Sequence, residues 1–188
     1  TAALLVFPVA YILNDCIAEV WGFQKAQFII WCGFAMNFLA ALFYQISVLL
    51  PPAPFWEHQD AYSTILSQKP RIAAASLLAF LAGSFLNAFV MSRMKVLSAG
   101  KHFSLRAIVS TLAGETIDSL LFFTVAFAGI LPLKSMLLMV VTQTLLKSGY
   151  EALILPVTVR AVRYIKQVEQ IDIYDKGISY NIFKINKL

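Results

Sequence analysis

The sequence is short of charge. Only 13% of its 188 residues are charged, against about 25% in an average soluble domain. Apolar residues make up 60% of the chain, and its mean hydropathy is +0.75. A balance of this kind argues against a soluble core and favours an integral membrane protein.

The motifs of several enzyme and metalloprotein classes are missing as well. Cys16 and Cys32 form neither a CxxC pair nor a Cys/His set, which argues against a zinc site. His58 and His102 both fall in predicted loops, which argues against haem and against an intramembrane metalloenzyme. No GxSxG motif and no nucleotide-binding motif is found. We therefore predict no enzyme activity, no metal and no cofactor, and no ATP hydrolysis by the chain alone.

Long apolar runs dominate what is present. We predict an all-α, polytopic helical bundle over residues 1–166, followed by a polar C-terminal tail over residues 167–188. The first run is short for a membrane span, which needs about 20 residues, so we expect a sixth helix to precede it. The predicted helices are A (residues 1–20), B (26–50), C (70–94), D (105–131) and E (133–165).

Basic residues give the expected orientation. The C–D loop carries four of them and no acid, and three more follow at the end of helix E. Under the positive-inside rule these regions face the cytoplasm, as does the C-terminus, in a multi-pass membrane protein. We attribute the net charge of +5 to this topology and predict no nucleic-acid partner.

Carboxylates interrupt the apolar runs at helical spacing. In GETIDSLLFF, residues 114–123, two acids lie three residues apart, and helix A carries a second pair four apart. A charge at the bilayer centre costs at least ~2.5–3.5 kcal/mol, so these residues should face a shared polar interior with one basic partner, Lys147. The candidate substrate-binding residues on the polar helix faces are Asn14, Asp15, Glu19, Asn37, Asn87, Glu115, Asp118, Gln143, Lys147, Tyr150 and Glu151.

Two further interpretations follow from the same pattern. Acid pairs on helices A and D suggest a 3+3 inverted repeat, an arrangement typical of secondary transporters with a site at the membrane midplane. For Asn37, Asn87 and Gln143 a structural role explains the sequence equally well, because polar side chains hold transmembrane helices together at roughly 0.6 kcal/mol per pair.

Three segments resemble the queuosine precursor transporter family, also called the vitamin uptake transporter family. They are FPVAYILNDCIAEVWG (7–22), RAIVSTLAGETIDSLLFFTVAFAG (106–129) and LLKSGYEALILPVTV (145–159), and the tail segment IDIYDKGISYN (171–181) is similar too. The resemblance implies six transmembrane helices. It also implies import of 7-cyano- or 7-aminomethyl-7-deazaguanine, precursors of the tRNA nucleoside queuosine, across the inner membrane.

The buried acids suit such a substrate. A guanine-like base presents N1–H and N2–H2 donors side by side, and a carboxylate, Glu115 or Asp118, can accept both. A cationic aminomethyl group would pair with Asp15 or Glu19. The candidate donors to O6 are Lys147, Asn37, Asn87 and Gln143. The candidate stacking aromatics are Tyr11, Phe34, Phe122 and Tyr150.

Other functions stay open at the level of sequence. The main alternative is a substrate-binding membrane subunit for another small, vitamin-like solute, energised by an ATPase partner. An intramembrane enzyme and a purely structural subunit are two more. Small residues at Ala75, Ala79 and Gly83 permit close helix contacts within one chain or in a homodimer. The sequence does not distinguish proton-coupled transport from facilitated diffusion.

Overall fold

The computed structural model describes residues 3–67 and 70–184, with side chains described from residue 9 onward. Within these residues the chain is a bundle of helices without strands. The all-α architecture predicted from the sequence is confirmed. The helices are α1 (Ala3–Leu49), α2 (Gln59–Leu66), α3 (Pro70–Leu97), α4 (Phe103–Phe127) and α5 (Leu133–Glu169).

Helix α1 is a hairpin of two arms, broken at Gly22. Gly22 has φ 80° and ψ 178°, which is not helical. Asn14 in the first arm donates to Asn87 of α3 over 2.8 Å, while Trp31 in the second arm packs against Phe85, with ring centroids 5.8 Å apart. A straight helix would carry residues 14 and 31 about 25 Å apart, yet both reach the same turn of α3. The two arms therefore run in opposite directions, as predicted helices A and B should.

The backbone conformation at the break requires glycine at position 22, and this requirement can be tested. We expect Gly22→Ala to destabilise the protein by about 1–3 kcal/mol, because this backbone conformation is essentially restricted to glycine. An added Cβ would also lie 2.7 Å from Asp175 Oδ1. As a matched control, Gly149→Ala in α5 adds a methyl group where nothing lies within 4 Å, so its stability should stay level or rise by up to about 1 kcal/mol. Thermal unfolding of both variants in detergent checks this, and equal melting temperatures would contradict it.

Helices α3, α4 and α5 form an antiparallel series in close contact. A Cβ on Gly83 of α3 would lie 2.9 Å from the carbonyl oxygen of Gly114 in α4, so glycine at this crossing lets the two backbones touch. Thr111 of α4 donates to Glu151 of α5 over 2.8 Å. The predicted antiparallel pairing of helices D and E is present.

Helix α4 ends at Phe127, four residues before the predicted end of helix D. Arg71, at the start of α3, donates to the carbonyl oxygens of Val125 and Ala128 over 2.6 and 2.7 Å. These carbonyls have no partner within their own helix, and a basic side chain satisfies them and the helix dipole together. Gly129 follows with φ 82° and turns the chain toward α5.

Three stretches of the described residues are long and apolar enough to cross a membrane. They are Val9–Leu49, Gln59–Leu97 and Phe103–Phe127. The first includes both arms of α1, and its second arm alone, residues 23–49, is long enough for one crossing. Helix α5 has the length of a span, 37 residues, but is not among these three apolar stretches. Its role as the fifth span stays a prediction.

The chain after α5 folds back over one end of the bundle. The Ile173 amide donates to the carbonyl oxygen of Val20 over 3.1 Å. Asp175 accepts hydrogen bonds from the Phe23 amide over 2.8 Å and from Ser92 over 2.6 Å. Phe23 begins the second arm of α1, so Asp175 caps that arm as an N-cap residue would, although it lies 152 positions away in sequence.

Candidate substrate site

Four acids lie buried together between the first arm of α1, α4 and α5. Asp15, Glu115, Asp118 and Glu151 are exposed by only 0, 1, 7 and 2%. Lys147 joins them, with its Nζ 2.7 Å from Glu115 Oε2 and 3.1 Å from Asp118 Oδ2. These five residues are called the carboxylate site below. Its single lysine leaves an excess of negative charge unless protons or a ligand supply the balance.

Asp15 and Glu151 form the second half of the carboxylate site. Their side chains lie next to one another, with Asn87 adjacent to Asp15. Thr111 donates to Glu151 Oε1 over 2.8 Å. Within the described residues, no donor reaches Glu151 Oε2 or either carboxylate oxygen of Asp15. These three buried acceptor oxygens are therefore left without a hydrogen bond of good geometry, with the Asn87 amide beside Asp15.

Polar residues on α1, α3 and α4 complete the walls. Asn14 Nδ2 donates to Asn87 Oδ1 over 2.8 Å, and Asn87 Nδ2 donates to Thr111 Oγ1 over 3.3 Å. This chain of bonds joins three helices and ends at Glu151. Because every link is buried, it fixes the relative rotation of the helices that carry the acids.

Two residues that line the site, Tyr11 and Thr111, are not among the substrate-binding residues predicted from the sequence. Tyr11 is only 2% exposed and appeared only as a stacking candidate, and Thr111 was not selected. Tyr11 lies at the α3–α4 crossing, where a Cβ on Gly83 would meet its hydroxyl oxygen at 2.6 Å. A signal was available, because Tyr11 and Thr111 each lie four residues before a site acid and so share its helix face.

The structure does not bring every predicted site residue to the acids. Asn37 is exposed and donates to the carbonyl oxygen of Gly33 in its own helix over 3.0 Å, so the structure does not bring it to the acids. Gln143 and Tyr150 are half-buried on α5. Asn14 and Asn87, in contrast, lie against the acids, as just described.

Glu19 belongs to a separate group at the end of the bundle, the ion cluster. Arg106 donates to its two carboxylate oxygens over 2.5 and 3.0 Å, and Lys166 donates over 2.7 Å. Asp172 of the tail lies 2.6 Å from Lys95 Nζ and 2.8 Å from Lys166 Nζ. Burial alone would raise the pKa of Asp172, but hydrogen bonds from Lys166 and Lys95 lower it below its usual value. The ion cluster joins α1, α3, α4, α5 and the tail.

Comparison with known proteins now adds to this geometry. A family model described as "Putative vitamin uptake transporter" matches residues 1–161. The chain belongs to the vitamin uptake transporter family. The matched range includes the whole carboxylate site. The chain is therefore a multi-pass membrane transporter rather than an enzyme, and the resemblance noted in the sequence is confirmed.

A curated relative adds detail. Over 171 residues the transporter is 28% identical to a "Probable queuosine precursor transporter" of Bacillus subtilis (strain 168). The aligned region covers 90% of this chain and 75% of the relative. No solved structure matches the transporter.

Proposed function

We propose that this protein imports queuosine precursors, 7-cyano- or 7-aminomethyl-7-deazaguanine, across the cell inner membrane. The observation that carries the proposal is the carboxylate site, in which four buried acids lie together with one lysine inside the segment that matches the family. The name of the Bacillus subtilis relative supports the substrate class. Mid-bundle sites of this kind are typical of secondary transporters.

Glu115 and Lys147 together complement the edge of a guanine-like base. That edge presents the N2–H2 donor, the N1–H donor and the O6 acceptor in a row. A carboxylate beside an ammonium group offers two acceptors and then a donor, and Glu115 Oε2 lies 2.7 Å from Lys147 Nζ. Asp118, 3.1 Å from the same ammonium, is an alternative acceptor. An adenine-like edge would place a donor against Lys147 and an acceptor against the carboxylate, so it should be rejected strongly.

The proposed orientation of the protein in the membrane follows from the basic residues at one end of the bundle. Lys95, Arg106 and Lys166 lie together in the ion cluster. We assign this end to the cytoplasm by the positive-inside rule, which makes the C-terminal tail cytoplasmic. Substrate would then be released past the ion cluster and the tail.

Thermal stability with added ligands tests the proposal. We expect both deazaguanine precursors to raise the melting temperature of the detergent-solubilised protein by several degrees, because ligand at 100 times its Kd stabilises by about 2.7 kcal/mol. Adenine should give no shift, and Glu115→Gln should abolish the shift with both precursors.

Glu57→Gln, which neutralises an exposed acid in the loop between α1 and α2, is the matched control and should keep the full response. If well-folded protein responded to no deazaguanine, the substrate assignment would be wrong. A response to another small solute, or co-purification of an ATPase, would favour the partner-dependent subunit instead.

A further inference from the structure

We propose that Asp15 and Glu151 form a proton-binding site that couples import to proton entry. The proposal rests on the import function above and adds an energy source to it. In each transport cycle, a carboxylate oxygen of this pair binds one proton from the outer solution. The same oxygen releases that proton to the cytoplasm, and no other bond forms or breaks.

The geometry of the pair supplies the first argument. Asp15 is completely buried and Glu151 is 2% exposed. Thr111 satisfies one of the four carboxylate oxygens, and the other three have no donor among the described residues. Two ionised carboxylates held side by side in a dry site repel each other, and each lacks the water that would stabilise its charge. One proton between them supplies the missing donor and removes one charge.

The surrounding charges supply the second argument. Lys147, one helical turn before Glu151 on α5, is engaged by Glu115 and Asp118. Arg106 and Lys166 are engaged by Glu19, one helical turn from Asp15. No ion pair within the described part of the chain includes Asp15 or Glu151. The positive charge that compensates Asp15 and Glu151 must therefore come from a ligand. A proton suits this position, because it can lie between two carboxylate oxygens that are already in contact.

Titratable groups face the pair from several helices. From α4 the acid Glu115 faces it, and from α3 the neutral Asn87. The remaining titratable neighbours lie on α1 itself and on α5: Tyr11, Cys16, Glu19 and Lys147. Lys147 among them is paired with Glu115 and Asp118, so within the described residues it forms no ion pair with Asp15 or Glu151.

The helices that carry the pair explain how the proton could be released. Asp15 lies on the first arm of α1 and Glu151 on α5, so separation of these two helices would separate the carboxylates and hydrate both. The only direct ion pair between the same two helices in the described residues joins Glu19 to Lys166, 2.7 Å apart. Opening of this end of the bundle would break that ion pair and hydrate the carboxylates in one movement.

Transport in proteoliposomes provides the first test, with the neutral 7-cyano compound as substrate. An inward tenfold proton gradient should drive accumulation of up to about tenfold if one proton enters per substrate molecule. Asp15→Asn and Glu151→Gln should abolish this accumulation. Glu57→Gln should behave like the wild type.

Infrared spectroscopy of the purified protein provides a second test that needs no substrate. The wild type should show the carbonyl stretch of a protonated, buried carboxylic acid, and either variant should lose it. Absence of that band would overturn the proposal even if no deazaguanine were transported, which separates its failure from that of the proposed function. Accumulation unaffected by a proton gradient in the wild type would overturn it as well. So would loss of only the aminomethyl substrate in both variants, which would make the pair an ammonium subsite.

Discussion

Replacement of Glu19 by alanine is expected to destabilise the bundle by about 3–5 kcal/mol, the usual cost of removing one partner from a buried ion pair. Glu19 is 1% exposed and accepts hydrogen bonds from Arg106 and Lys166. Without it, the guanidinium of Arg106, itself 1% exposed, would stay buried beside the cations of Lys95 and Lys166. Chemical or thermal unfolding in detergent measures the loss.

A double-mutant cycle separates the ion pair from general packing. Glu19→Leu combined with Arg106→Leu should lower the stability by less than the sum of the two single changes. In each single variant one charge stays buried without its partner, whereas the double variant removes both charges. Glu169→Gln, which neutralises an exposed acid at the end of α5, is the matched control and should change stability by less than about 0.5 kcal/mol. Additive single and double effects would mean that Glu19 and Arg106 do not act as a pair.

The same residue tests the prediction made from sequence, which placed Glu19 in the substrate site. Its structural position predicts that variants lose stability first and transport only as a consequence. A Glu19→Gln protein with an unchanged melting temperature but no ligand response would instead support a direct binding role. The two measurements must therefore be made on the same preparation.

The separation of Asp15 from Glu19 shows how far a sequence pattern reaches. Spacing of four residues places both on one face of α1, and that inference holds. It does not say which partners stand opposite each. Four residues are about 6 Å along a helix, and over that distance the facing side chain changes from Glu151 to Arg106. That difference depends on the register of α1 against α4 and α5, which no local pattern contains.

The tail shows a similar limit. The sequence predicts a polar tail outside the helical bundle, and it does not predict that Asp172 and Asp175 both contact the bundle. Asp175 binds an amide of Phe23 that is available only because α1 breaks at Gly22.

The apolar segments themselves, and the acids that interrupt them, could be predicted because bilayer length and the cost of buried charge act locally. The short helix α2 lacks such a signal.

Replacement of Lys147 by methionine should have the largest effect on transport. The change leaves Glu115 and Asp118 buried beside each other without a cation, so we expect a loss of stability of about 3–5 kcal/mol unless the acids take up protons. It also removes the donor proposed for O6 of the substrate. A hydrogen bond to a charged group contributes about 1.5–3 kcal/mol, so binding of either precursor should weaken by roughly 10- to 100-fold. Ligand titration followed by melting temperature measures both effects.

The double variant Lys147→Met with Glu115→Gln distinguishes charge compensation from recognition. It removes a cation and an anion together, so most of the stability lost in Lys147→Met should return. If binding of the deazaguanines stays absent in this stable protein, the lysine and the carboxylate contact the base directly. If binding returns along with stability, Lys147 only neutralises Glu115 and Asp118, and the donor to O6 must be sought among Asn87 and the hydroxyls of Tyr11 and Thr111, which lie around the same site.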